Sequence, residues 1–305
     1  HHGGSADYMQ SRLDQFVDRY DTDGDMRVSS IEFEQHRRNR FDITDENADG
    51  TVSQDEYVYE WEDRMDAQLE KDRAGQVRQT SVRFGALDRD DDEKMQWAEY
   101  ARSGDRMFTR WDSNEDGLVD ASDPKRERGW SRKTSGKSKS GAKANRTERK
   151  IDPEKARQYR IARMNSMLRM PSTHRTDGFM VRYDVNGDEQ VTGAEFDAKR
   201  RADFDKTDED SNGWVSEQEY VLEYEDRLDM QIAKQREQSI KQAGHRFGAL
   251  DKDDDGAMTF AEYQRSGHSM FKRWDTSFDG YVSAEDPLPE PRESLVASTD
   301  QSGND

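Results

Sequence analysis

The chain has no cysteine, which removes disulfides and thiol catalysis from its repertoire. Histidine is nearly as scarce. Of six, His1 and His2 read with Gly3–Ser5 as a purification-tag remnant over 1–5, and His36, His174, His245 and His268 stand at no ligand spacing. Apolar residues are few: 30% of the chain against 38% charged, with a mean hydropathy of −1.30. There is no transmembrane run and no visible signal peptide. A chain starting at Ala6 behind a tag fits a protein whose signal was trimmed, and the lack of cysteine permits an extracytoplasmic home, periplasmic or secreted in a bacterium, with the cytoplasm as the alternative. Nothing here suggests an enzyme. Cores built from so little apolar material are thin, so a ligand must carry part of the folding energy.

Acid is abundant, at 67 Asp and Glu against 48 Lys and Arg, for a net charge of −19. Much of it falls in eight segments of one pattern. They begin at Asp21, Asp45, Asp88 and Asp112, then at Asp184, Asp208, Asp251 and Asp275, each of the last four 163 residues after its counterpart. The intervening sequence repeats as well: RFGALDRDDDEKMQWAEY from Arg83 returns as RFGALDKDDDGAMTFAEY from Arg246. Asp45, Asn47, Asp49, Gly50 and Glu56 stand at positions 1, 3, 5, 6 and 12 of the second segment. Asp208, Asp210, Asn212, Gly213 and Glu219 do so in the sixth, and Asp251, Asp253, Asp255, Gly256 and Glu262 in the seventh.

This spacing, D-x-[DN]-x-[DN]-G-x5-E, resembles the EF-hand calcium loop. The resemblance implies a hard cation wrapped by the side chains of positions 1, 3 and 5, the carbonyl of position 7 and a bidentate acid at 12. The position-7 carbonyls would come from Thr51, Trp214 and Ala257 in the three complete loops. The first loop offers Asp21, Asp23, Asp25, Arg27 and Glu32; the third Asp88, Asp90, Asp92, Lys94 and Glu99; the fifth Asp184, Asn186, Asp188, Gln190 and Glu195. The fourth offers Asp112, Asn114, Asp116, Leu118 and Asp123, and the eighth Asp275, Ser277, Asp279, Tyr281 and Asp286. Position 8 is apolar in every loop (Val28, Val52, Met95, Val119, Val191, Val215, Met258, Val282), as an EF-hand needs where paired loops bridge. Aromatic residues follow the loops closed by Glu, and Phe precedes six loop starts by four residues, the inward positions of flanking helices.

The loops are not equal. Met26, Glu93 and Glu189 replace glycine at position 6 of loops 1, 3 and 5, where a left-handed side chain costs about 1 kcal/mol, so these loops are expected to bind more weakly or distort. Loops 4 and 8 close with Asp123 and Asp286, each before a proline (Pro124, Pro287), and the shorter acid suits a six-coordinate, magnesium-tolerant site. Loop 8, with Ser277 at position 3, ranks lowest. Starts within a pair are only 24 residues apart, a pitch that resembles lanmodulin, the lanthanide-binding EF-hand family. Its proline at position 2 and aspartate at position 9 are missing here, Asp120 excepted.

The expected fold is all-α: two tandem four-loop EF-hand domains, 6–124 and 171–286, with a short helix shared by neighbouring loops (33–44) and a long amphipathic helix between pairs (57–87 and 220–250). The long helices carry the stripes Tyr57, Trp61, Met65, Leu69 and Tyr220, Tyr224, Leu228, Ile232, expected to pack the pairs or halves together. Residues 125–150 hold eleven Lys or Arg against two Glu and read as an unstructured tether drawn to the acidic halves. Its alternative ligand is an anionic polymer or membrane surface, while nucleic acid suits a chain of net −19 poorly. A basic helix is expected within 151–170, completing a linker over 125–170, and the tail 287–305 is expected to lack structure. The expected cofactors are several calcium ions, with magnesium at loops 4 and 8 and trivalent lanthanides as further ligands. The expected function is a multi-site metal buffer or metal-folded binding protein; the alternatives are a calcium-dependent sensor or interaction protein, and a lanthanide binder.

Overall fold

A computed structural model describes residues 2–123, 152–171, 173 and 175–289, with side chains from residue 6 onward. Pro124, the basic stretch 125–150, His174 and the tail from 290 lie outside these residues. The chain is mostly helical. Helix α1 (His2–Tyr20) leads into strand β1 (Arg27–Ser29), α2 (Ser30–Thr44), β2 (Thr51–Ser53), the long α3 (Gln54–Leu87), β3 (Lys94–Gln96), α4 (Trp97–Trp111) and β4 (Leu118–Val119). After α5 (Pro153–Asn165) the series returns as α6 (Thr176–Tyr183), β5 (Val191–Thr192), α7 (Gly193–Thr207), β6 (Trp214–Ser216), α8 (Glu217–Leu250), β7 (Ala257–Thr259), α9 (Phe260–Trp274) and β8 (Tyr281–Ser283). The shared short helix and the two long helices fall where the sequence places them. Helix α5 is shorter than 151–170: Asp152 caps its start and the backbone turns extended at Ser166 (φ −61°, ψ 126°), ahead of Pro171. Helix α1 reaches back into the residues read as a tag remnant.

The strands do not pair within a repeat. Strand β1 pairs with β8, β2 with β7, β3 with β6 and β4 with β5, all antiparallel. The reason is geometric. Helix α2 is at once the outgoing helix of loop 1 and the incoming helix of loop 2, and its 15 residues make a rod of about 22 Å. Loops at opposite ends of a rod cannot bridge each other, which rules out pairing between neighbouring loops; the partners lie in the other repeat, in reverse order.

Compact units follow the pairing. One comprises α1, β1, α2, β2, α3 up to Gln68, α5, and α8 from Arg236 on through β8; the other comprises α3 from Leu69 on, β3, α4, β4, and Leu168 through α8 as far as Gln235. Each unit draws on both repeats, which replaces the expected division into 6–124 and 171–286.

In the first unit, Val28 faces Val282 and Val52 faces Met258 across the two bridges; in the second, Met95 faces Val215 and Val119 faces Val191. All eight are at most 1% exposed, so every apolar position 8 sits at the centre of a core. Around the first bridge cluster Met9, Leu13, Phe16, Tyr20 and Phe33, and around the second Phe41 and Phe247. In the other unit Phe84 and Phe204 flank β3 and β6, and Phe179, Tyr183 and Phe196 flank β4 and β5.

The long helices run antiparallel within each unit. Arg236 meets Asp66 at 2.7 Å in the first, and in the second Arg73 meets Asp229 at 2.8 Å and the Tyr224 hydroxyl donates to Gln76 at 3.0 Å. Two buried arginines, 163 residues apart in sequence, bind the repeats together. Arg37 of α2 stacks 3.8 Å from the Tyr263 ring centre and donates to the Tyr263 carbonyl and to Ser266 of α9. Arg200 of α7 does the same on Tyr100 and Ser103 of α4. Glycine faces each one: a Cβ at Gly267 or Gly104 would lie 2.7 Å from the arginine Cδ.

Candidate metal centres

Each of the eight loops adopts the same backbone trace, and each is closed by its own acids. The first aspartate ends the incoming helix, its N–H donating to the carbonyl four residues earlier, as from Asp45 to Phe41 at 2.9 Å. Its Oδ2 then accepts the N–H of position 6 in every loop, at 2.9–3.1 Å (Met26 to Asp21, Gly50 to Asp45, Gly280 to Asp275). Position 6 is left-handed throughout, and so is position 4. The pairs are Gly24 and Met26, Ala48 and Gly50, Asp91 and Glu93, Glu115 and Gly117, Gly187 and Glu189, Ser211 and Gly213, Asp254 and Gly256, and Phe278 and Gly280. Loops 1, 3 and 5 therefore keep the common shape in place of distorting. In loops 1 and 5 the glycine has moved two residues, to Gly24 and Gly187, and covers the other left-handed position; loop 3 has glycine at neither.

The twelfth residue serves two purposes. One of its carboxylate oxygens accepts the N–H of position 9, the residue before the outgoing helix: Ser29 to Glu32, Ser53 to Glu56, Thr259 to Glu262. The position-9 hydroxyl in turn accepts the N–H of that glutamate in loops 1, 2, 5, 6 and 7, forming a reciprocal cap. The other oxygen accepts an N–H at position 2 or 3 of the same loop, from Lys252 to Glu262 at 2.7 Å or Glu209 to Glu219 at 3.0 Å. Asp123 and Asp286 reach the same donors despite the shorter side chain, Asp123 from Ser113 at 2.6 Å and Asp286 from Ser277 at 3.0 Å. The backbone N–H groups of Thr259 and Lys252 take the Glu262 carboxyl down to about 2, and Glu32, Glu56 and Glu219 are lowered too.

Three carboxylates converge within 4.8 Å in four loops: Asp21, Asp23 and Asp25; Asp88, Asp90 and Glu99; Asp208, Asp210 and Glu219; Asp251, Asp253 and Asp255. Among the described residues the other four loops gather no such trio, and amides or Ser277 hold position 3 in all of them. The sequence puts loops 2, 6 and 7 first, on full ligand sets with glycine at position 6, while the trios fall in loops 1, 3, 6 and 7. Crowding is legible in the titration behaviour. Desolvation and the charges of Asp92, Glu99 and Asp88 push the Asp90 carboxyl up, and desolvation with Asp255 and Glu262 does the same to Asp253. Asp251 is buried, and its Oδ1 has no hydrogen-bond partner. An orphaned anionic oxygen beside two like charges fits a cation, and the donor set is all oxygen, the chemistry of a hard ion.

Position-7 residues meet across the bridges. Arg27 lies 4.2 Å from the Tyr281 ring centre and 3.5 Å from Asp279, and Lys94 lies 5.1 Å from the Trp214 ring centre. The capping serines and threonines at position 9 and the glycines at position 4 were missed in the sequence; a helix-start pattern of Ser or Thr three residues before Glu would have flagged the first. None of the described helices is long and apolar enough to cross a membrane. The chain matches no protein-family model, no curated protein and no solved structure.

Proposed function

We propose that the chain is a calcium-binding protein of the EF-hand superfamily that works as a multi-site metal buffer, its fold supported in part by the ions it carries. The observation that carries this reading is one loop geometry repeated eight times, with four of the loops crowding three carboxylates within 4.8 Å. In loop 7 the ion would be held by Asp251, Asp253, Asp255, the Ala257 carbonyl and Glu262, and the corresponding positions would serve in loops 1, 3 and 6. Calcium would supply positive charge where like charges now repel. A buffer is favoured over a sensor because the aromatic residues flanking the loops pack in cores, whereas a sensor must release apolar surface on loading.

The test is a calorimetric titration with calcium, magnesium and a trivalent lanthanide, on the wild type and on Glu56→Gln, Glu219→Gln and Glu262→Gln combined. The triple variant should lose calcium at loops 2, 6 and 7 and keep it at loops 1 and 3. Unchanged affinity would remove these glutamates from the site. Lanthanide binding that resists a roughly million-fold calcium excess, about 8 kcal/mol of discrimination, would replace the calcium reading by the lanthanide one.

A further inference from the structure

The second unit carries a half-open cavity of 690 Å³, the size of a small-molecule site, bounded by α3, α4, α6, α7, α8 and residues 168–171 and 173. Its wall is in large part apolar, with Leu87, Met95, Met107 and Phe204 beside Tyr183 and Tyr220. Its charge is the unusual part. Five arginines line it (Arg83, Arg169, Arg182, Arg200, Arg227) against two acids, Asp203 and Glu223, in a chain whose net charge is −19. Arg182 is paired with Asp203 at 2.9 Å and Arg227 with Glu223 at 2.9 Å. Among the described residues neither Arg83 nor Arg200 has a carboxylate partner: Arg83 bonds the Gln79 amide at 3.4 Å and lies 5.5 Å from the Tyr224 ring centre.

Arg200 is 4% exposed, and its Nε has no hydrogen-bond partner. The duplication shows what is missing. In the other repeat, Arg37 donates from the same nitrogen to Gln264 at 3.0 Å, and the residue corresponding to Gln264 is Ala101. The arginine has been kept and its acceptor removed. That nitrogen lies against Gly104, outside the cavity wall, so what Arg200 brings to the cavity is a buried charge with no carboxylate to balance it.

We propose that this cavity binds a small amphipathic anion, a carboxylate or phosphate head on an apolar body. The head offsets the surplus of arginine over acid, and the body lies against Leu87, Met107 and Tyr220, behind which Met95 and Phe204 are packed. Met95 of loop 3 belongs to the wall, but none of the loops' acids does, and the proposal does not depend on the metal reading.

The experiment is a calorimetric titration of the full chain, loaded with stoichiometric calcium and freed of excess, with octanoate, octyl phosphate, octanol and octylamine. One equivalent of octanoate or octyl phosphate should bind, the tighter of the two identifying the head, and octanol and octylamine should bind at least about tenfold more weakly. Arg83→Gln should weaken the anion about tenfold, and Arg246→Gln, the counterpart in the first unit, should leave it unchanged. Independently of any variant, the anion should shift the methyl resonances of Met95 and Met107 and spare those of Met258 and Met270. Absence of saturable anion binding, octanol binding as tightly as octanoate, or equal shifts of both methionine pairs would each overturn the proposal.

Discussion

His36 shows how a single residue can report on packing. Burial, reinforced by the charges of Arg40, Arg19 and Arg37, lowers its pKa; its Nδ1 is buried without a partner, and its ring meets Tyr20 edge-on at 4.8 Å. Above about pH 6.5 both folded and unfolded forms are neutral and there is no penalty. As pH falls from there toward the lower folded pKa, the unfolded chain takes the proton first, so stability is lost on acidification. In saturating calcium the Tm should fall between pH 7.5 and 5.5, and His36→Leu should flatten that slope; an unchanged slope would assign the titration elsewhere. Position 6 of loop 3 offers a second test. Glu93 sits at φ +63°, so Glu93→Gly relieves left-handed strain of about 1–2 kcal/mol and gives back about 0.4–1 kcal/mol through a more flexible unfolded chain. A net gain near 0.5–1 kcal/mol is expected in chemical denaturation. Gly213→Ala, at φ +93° with nothing within 4 Å of a new Cβ, should cost about 1 kcal/mol from the backbone alone.

At the scale of elements, the metal reading has a direct consequence. Position 1 ends each incoming helix and position 12 opens each outgoing one, so an ion joining them also joins two helix ends. Chelation should therefore lower the Tm and reduce the helical circular-dichroism signal, with the frayed ends at the loops and not at the centres of α3 and α8. Amide exchange would place the loss; protection unchanged at Ser29, Thr192 and Thr259 after chelation would separate loop closure from metal. How much of this was legible differs by element. The helices declared themselves through spacing: Phe41 four residues before Asp45 and Val52 at position 8 are core positions in the sequence and in the fold. The clustering of acids was equally plain, since Asp251, Asp253 and Asp255 share one short loop. Strand partnership was not legible. Val28 offers the same apolar surface to Val52 or to Val282, and only the length of α2, which holds β1 and β2 apart, decides between them. The capping role of Ser29 and Thr259 was overlooked because their glutamates had already been explained as ligands.

Across the whole molecule, the two repeats are interleaved and not strung in series. Every bridge takes one strand from each repeat, and so does each arginine lock, Arg37 on Tyr263 and Arg200 on Tyr100. Loop 8 is the copy of loop 4, and loop 7 the copy of loop 3, so the pairing 1 with 8 and 2 with 7 is also a recipe for one repeat to pair with itself. The chain is then a dimer written as a single gene product. A protein made of residues 6–123 alone should not be a stable monomer; it should form a twofold homodimer, loop 1 of each copy against loop 4 of the other. Size-exclusion with light scattering decides this, and a folded monomer would refute it. Covalent connection between Asp123 and Asp152 spares the protein that concentration dependence, because the partner repeat is always present on the same chain. Dilution, which would dissociate a homodimer of single repeats, leaves the tandem chain assembled.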